Sequence, residues 1–206
     1  MPTPAEQLAT ALKRHAPEFR IELMPEHIRR LADYYSLILK WNPRLHLVAP
    51  CTSEEFAVRH ALESLILLNH LPARARVIDV GSGAGLPIIP CLLLREDLHA
   101  VLIEAARNKS VFLKEALRLL QLASRAHVLN ARFEDAPRPD AEFITCRALD
   151  KFSQLMPVLV EWARPGSTVL LFAGESLANE LIGMLSGAKK ERIPYSERRF
   201  LVVGHG

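Results

Sequence analysis

Val77-Ile78-Asp79-Val80-Gly81-Ser82-Gly83-Ala84-Gly85-Leu86-Pro87 joins four strand-forming residues to a turn with glycine at every second position. An apolar run of Ile88, Ile89, Cys91, Leu92, Leu93 and Leu94 follows and suits a helix. Strand, glycine turn and helix together build a ligand site at the carboxyl end of a sheet. The glycines let the backbone turn sharply and approach the ligand. A dinucleotide fingerprint requires G-x-G-x-x-G, but Leu86 stands where the third glycine belongs. Asp79, two residues before Gly81, suits a ligand of cationic character better than a pyrophosphate. Three readings remain at this point: a cofactor site, a nucleotide site of an oxidoreductase, and a structural turn.

In an open parallel sheet the residues just after each strand face the ligand. Glu104 ends the next strand, 104 − 81 = 23 positions past the first glycine, and a carboxylate there can accept from both ribose hydroxyls. The alternative is a solvated acid at a helix start. After the third strand, Phe133 either stacks on an adenine face or tucks into the core, and Glu134 can bond the base edge. After the fourth comes Arg147, which can bind a carboxylate or a phosphate.

The elements that must hold these residues are legible in outline. At 206 residues the chain is long enough for one domain with an appendage. Half the residues are hydrophobic and 24% are charged, as in ordinary globular enzymes. A formal net charge of +3 permits a nucleic-acid partner without requiring one. Cys51, Cys91 and Cys146 are far apart and form no C-x-x-C pair, which predicts reduced, buried thiols and no metal site. No leader pattern and no membrane-spanning stretch is visible, so a cytoplasmic location is the expectation.

Residues 1–72 read as an N-terminal helical extension punctuated by Pro17, Pro25, Pro43 and Pro50, with Pro43 as a helix stop. Ile28, Leu31, Tyr35, Ile38 and Trp41 recur at helical spacing. A second helix begins near Thr52 and would bury Ala57, Ala61, Leu65 and Leu68. Residues 73–206 alternate strand and helix, the pattern of a mostly parallel sheet covered on both faces. Strands are expected at 77–80, 99–103, 126–129, 143–146 and 168–172. Helices are expected near 109–122, 152–162, stopped by Arg164-Pro165-Gly166, and 176–185. The 109–122 helix would bury Val111, Phe112, Ala116, Leu119 and Leu120. A final antiparallel hairpin would pair 192–195 with 200–203.

The D-x-G-x-G-x-G form at Asp79 resembles motif I of S-adenosylmethionine-dependent methyltransferases with a Rossmann-like core. Further pieces are Trp41-Asn42, Arg59-His60-Ala61-Leu62-Glu63-Ser64-Leu65, the Gly-Leu-Pro of residues 85–87, Glu104, Lys109, Arg132-Phe133-Glu134 and Cys146-Arg147-Ala148. Together they resemble the RsmG (GidB) family of small-subunit ribosomal RNA guanine-N7 methyltransferases. The resemblance implies a class I methyltransferase core behind a helical extension, and methyl transfer to N7 of a guanine in 16S ribosomal RNA. It also implies that Asp79, Gly81, Gly83, Gly85, Leu86, Glu104, Phe133, Glu134 and Arg147 form the cofactor site. Arg147 and His60 would serve catalysis, while Arg59 and Lys109 would meet RNA. The chain departs from the family at His46 and Val48, at Glu63 in place of Asp, at Ile88 in place of Gly, and at Ala173 in place of Lys.

Guanine N7 carries a lone pair and no proton, so in-line transfer needs no general base, only positioning. Scattered cations at Arg29, Arg30, Arg44, Arg59, Arg107, Lys109, Arg147 and Lys151 would draw 16S ribosomal RNA or the small subunit to a monomeric enzyme. The rivals are an RNA- or ribosome-binding module with a vestigial pocket and the oxidoreductase that Leu86 disfavours.

Overall fold

Thr3 and Thr52 begin helices in the same way. Each hydroxyl accepts from the backbone N–H three residues on, and the acid there (Glu6 or Glu55) accepts in return from the threonine N–H at 2.7 Å. The computed structural model describes residues 1–147, 152–163 and 165–206, so the expectations at Ala148, Lys151 and Arg164 lie outside the described residues.

Helix α1 spans Pro4–His15 and α2 spans Pro25–Leu45. Pro25 is the first residue of α2, where its missing N–H costs nothing. Pro43 is not the predicted stop. It lies inside the last turn, and α2 ends at left-handed His46 (φ 48°), whose N–H bonds the Asn42 carbonyl. A short α3 (Ser53–Phe56) widens into a π-helical stretch over Ala57–Leu62, returns to α form as α4 (Glu63–Leu65) and closes in a 3-10 turn at Ile66–Asn69. Ala57, Ala61 and Leu65 are buried as expected, but Leu68 is only half-buried. The tighter final turn, at about three residues per turn, rotates Leu68 off the stripe.

The sheet contains β1 (Arg76–Val80), β2 (His99–Ile103), β3 (Ala126–Leu129), β4 (Phe143–Arg147), β5 (Thr168–Gly174), β6 (Ser186–Arg192) and β7 (Arg199–His205). Between strands lie α5 (Ile88–Leu94), α6 (Arg107–Leu119), α7 (Phe152–Trp162) and α8 (Glu175–Met184). The strand order is β3-β2-β1-β4-β5-β7-β6, parallel from β3 through β5 and antiparallel at β5/β7 and β7/β6. The order reverses between β1 and β4, which opens a crevice at their carboxyl ends.

The final hairpin forms, but its first strand is β6, several residues earlier than predicted. Ser186–Arg192 is almost wholly exposed and polar, the character of a protected sheet edge, so it carries no hydrophobic strand signal. The 193–198 loop then carries Tyr195 to the N-terminal helices, where its ring lies 5.8 Å from Phe19 and 5.3 Å from His15. In α6, Leu113 and Leu117 are buried, while Val111 and Leu119 face solvent at 50% and 44% exposure, against expectation.

Strand alternation divides the core. Val77, Ala100, Leu102, Leu170 and Phe172 join one cluster with α1, α2 and residues 56–67, so the helical extension and one sheet face share one interior. Ile78, Val80, Ile103, Ile144 and Leu171 join the opposite cluster with α7 and α8. Asp79 alternates to the first face and is completely buried there.

The glycine turn limits what this packing tolerates. A Cβ at Gly85 (φ +89°) would lie 2.3 Å from Ile89 Cδ1 and 2.7 Å from its Cγ1, whereas one at Gly183 would meet nothing within 4 Å. Gly85→Ala is expected to lower unfolding stability by about 1–3 kcal/mol. Gly183→Ala, inside α8, is expected to raise it by about 0.5–1 kcal/mol. Urea unfolding of the two variants checks the contrast.

Candidate active site

The cleft begins with hydrogen bonds between neighbouring strand ends. Gly81 and Ser82 donate their N–H groups to the Ile103 carbonyl at 2.9 and 3.1 Å, which carries the turn from β1 across the end of β2. Glu104 then accepts from Gly83 N–H at 2.8 Å and from Ala106 N–H at 2.7 Å. Its backbone is tied to β3, where its N–H donates to the Leu129 carbonyl and its carbonyl accepts from Asn130. Gly81 and Gly83 have φ of 66° and 55°, the left-handed region that glycine enters without strain.

Behind the turn, Asp79 accepts from the Ser82 hydroxyl at 2.5 Å, and Tyr34 of α2 donates to the Ala84 carbonyl at 2.8 Å. Burial, aided by the nearby Glu104 charge and opposed by the Ser82 bond, pushes the Asp79 carboxyl up to about 7. Asp79 therefore shapes the turn from beneath and does not line the cleft. Gly85 is likewise behind the wall.

The cavity holds about 580 Å³, within the range of small-molecule sites. Gly81, Gly83, Leu86, Glu104, Phe133, Glu134, Arg147, His60 and Lys109 all line it. Phe133 packs into the core, 4% exposed with its ring edge-to-face against Trp162 at 5.7 Å, and also lines the cavity. Arg59 does not line the cavity. Its side chain is exposed, while its carbonyl accepts from Arg147. Of the other expected cations, Arg29 is paired with Glu26 and Asp33, and Arg30 donates to the Leu93 carbonyl.

Other residues of the site carry no assigned role in the sequence, although Val48 and Glu63 stand out there as departures from the family pattern. Leu47, Val48 and Ala49 close one side, on a loop held by Asn42, whose amide both donates to and accepts from the Val48 backbone at 3.0 Å. Behind the wall, Glu63 pairs with both Arg147, at 3.1 Å, and Arg199, at 2.7 Å. The Glu63 departure from the family pattern was the one clue to that cluster.

His60 projects from the π-helical stretch into the cavity, its ring 5.2 Å from Phe56. Its Nδ1 is buried without a hydrogen-bond partner among the described residues. Burial first, then the charges of Arg147, Arg59 and Arg199, push its imidazole down to about 3. Between the ordinary value of 6.5 and about 3, the unfolded chain takes up a proton that the folded chain refuses. The His60 contribution to stability is thus complete above 6.5 and is lost as pH falls through that window. Proton NMR is expected to show His60 neutral from pH 8 to about 4, and His60→Gln is expected to reduce acid sensitivity in that window. A His60 midpoint near 6.5 would contradict this environment.

Among the described residues, no helix is long and apolar enough to cross a membrane, and no cluster of three or more His, Cys, Asp or Glu is placed to hold a metal. Solved structures with this fold include an RNA methyltransferase from Salinibacter ruber in complex with S-adenosyl-L-homocysteine. It is 16% identical, covers 69% of this chain and 86% of that one, and has a TM-score of 0.52. A SAM-dependent methyltransferase from Aquifex aeolicus is 18% identical over 68% of this chain and 88% of that one, with a TM-score of 0.53. At such identities the likeness establishes the Rossmann-like methyltransferase fold.

Sequence relatives are closer. The ribosomal RNA small subunit methyltransferase G of Rhodospirillum centenum is 37% identical, covering 76% of this chain and 71% of that protein. The protein of the same name from Pelotomaculum thermopropionicum is 33% identical, covering 95% of this chain and 89% of that protein. The family model for GidB, rRNA small subunit methyltransferase G, matches residues 27–194, from inside α2 to just past β6. The chain belongs to the GidB family of rRNA small subunit methyltransferases.

Proposed function

We propose that this protein transfers a methyl group from S-adenosylmethionine to N7 of a guanine in 16S ribosomal RNA, acting as a monomer in the cytoplasm. The observation that supports this most is the convergence of Gly81, Gly83, Glu104, Phe133 and Arg147 on one cavity at the strand-order reversal.

The residues present fit that cofactor. Glu104 keeps acceptor capacity beyond its two amide partners, enough for ribose hydroxyls. Arg147 Nη1 is buried without a partner among the described residues, an unspent donor for a carboxylate. Leu86, Ile103, Ala131 and Phe133 offer an apolar wall for a purine, with Glu134 beside it. When bound, S-adenosylmethionine supplies an electrophilic methyl group on a cationic sulfur.

The chain's own residues then have to position the base, exclude water and tolerate positive charge on the methylated guanine. A neutral His60 adds no cation beside that base, and Glu63 offsets the charge of Arg147. Exposed Arg59 and cavity-lining Lys109 are suited to contacting the RNA backbone at the mouth. The guanine-N7 target itself is what the family resemblance implies.

Calorimetry tests the cofactor assignment directly. The wild type is expected to bind S-adenosylmethionine and S-adenosylhomocysteine, with no comparable heat from NADH. Gly83→Val, which forces a branched side chain to φ +55° on the cavity wall, is expected to weaken both by about a hundredfold or more. Incubation with 16S ribosomal RNA and labelled cofactor should then yield N7-methylguanosine in the digested RNA. Folded wild type that binds neither adenosyl compound would remove this reading.

A further inference from the structure

Glu63 is 1% exposed and stands where the π-helical stretch returns to α form. Its Oε2 accepts from Arg147 Nη2 at 3.1 Å, and Arg199 Nη2 lies 2.7 Å from its Oε1. The second contact is close yet off the hydrogen-bonding direction, so it is charge pairing and not a directed bond. Arg147 Nη2 also donates to the Arg59 carbonyl at 2.5 Å, and the guanidinium carbon lies 5.4 Å from the Phe172 ring centroid. One edge of the Arg147 guanidinium is therefore fully committed. The other nitrogen, Nη1, is buried without a partner among the described residues, on a side chain that lines the cavity.

A carboxylate buried this deeply is costly unless paired, and so is the arginine. Each compensates the other, but the balance is uneven. Arg147 and Arg199 both pair with the single Glu63 carboxylate, leaving positive charge in excess beside the cavity. An anion arriving in the cavity would complete the set.

We propose that Glu63 is a positioning residue for methyl transfer: it grips the Arg147 guanidinium by its Nη2 edge and so reserves Nη1 for an anionic oxygen of the bound reactants. That oxygen belongs to the cofactor carboxylate or to an RNA phosphate. The proposal rests on the S-adenosylmethionine reading of the cleft. It makes the helical extension a working part of the site, because Glu63 lies in the extension and Arg147 at the end of β4.

The sign of the effect separates positioning from simple neutralisation. A carboxylate that merely neutralised Arg147 would compete with the incoming anion, so its removal would tighten binding. A carboxylate that orients Arg147 has the opposite effect.

The experiment uses the full chain and compares S-adenosylhomocysteine with 5′-methylthioadenosine, which lacks the carboxylate-bearing arm. In folded Glu63→Gln, the preference for S-adenosylhomocysteine is expected to fall about tenfold while 5′-methylthioadenosine binds unchanged. If the anion is an RNA phosphate, the preference holds and KM for 16S ribosomal RNA rises about tenfold instead. In either case Glu63→Asp is expected to recover most of the loss. Wild-type values, or tighter S-adenosylhomocysteine binding, in folded Glu63→Gln would overturn the proposal.

Should Glu63→Gln not fold, nitrogen-15 NMR of Arg147 in the wild type decides. Restricted guanidinium rotation before ligand addition supports the grip, and free rotation refutes it. A wild type that binds neither adenosyl compound overturns the cofactor reading itself, a result distinct from unchanged binding in the variant.

Discussion

The carboxylate of Glu104 at the end of β2 is the constraint on which the rest of the cleft depends. It accepts from Gly83 in the glycine turn and from Ala106 at the start of α6, so one side chain fastens the exit of β1 to the exit of β2. Charge-assisted hydrogen bonds of this kind contribute about 1.5–3 kcal/mol each. Together with the Gly81 and Ser82 bonds to the Ile103 carbonyl, they hold the turn across the strand ends, with Gly81 and Gly83 at left-handed angles over the cavity. Glu104 as a residue is only 7% exposed, which limits competition from water for those donors.

Two buried ionisable groups flank this arrangement and respond to acid in opposite ways. Asp79, with its carboxyl pushed up to about 7, holds a proton that the unfolded chain releases at about 3.8. Its contribution is fully present below about 3.8 and is lost as pH rises from there to about 7. His60 refuses a proton that the unfolded chain accepts, so its contribution runs the other way. The glycine turn rests on the first group and the π-helical wall carries the second. Acid therefore destabilises the helical extension through His60 while it favours the turn through Asp79.

Local chemistry was legible in the sequence, and long-range pairing was not. The glycine turn, the acid after β2 and the arginine after β4 follow from a strand reading plus the rule that ligands sit beyond parallel strand ends. The partners of Arg147 could not be read this way. Glu63 lies 84 residues earlier on a helix, and only the packed fold brings it to β4. The Leu47–Ala49 wall was hidden for a similar reason, since it depends on the Asn42 amide and on the left-handed stop at His46. Strand β6 escaped because an exposed polar edge strand carries almost no hydrophobic pattern. Val111 and Leu119 were misplaced because an apolar helix face wider than its buried stripe does not say which of its margins is covered.

The contact between His15 and Tyr195 bears on synthesis. His15 bonds Glu54 at 2.7 Å and Tyr195 at 3.1 Å, the latter across 180 residues of chain. Helix α1 leaves the ribosome well before Tyr195 and can dock on α2 and α3 early, yet its carboxyl end gains this partner only after a further 180 residues have been made. At elongation rates of about 5–20 residues per second, that interval is roughly ten to forty seconds. During it, Phe19 and the end of α1 lack their aromatic cover, and a nascent chain arrested before Tyr195 would present that uncovered end to chaperones and proteases.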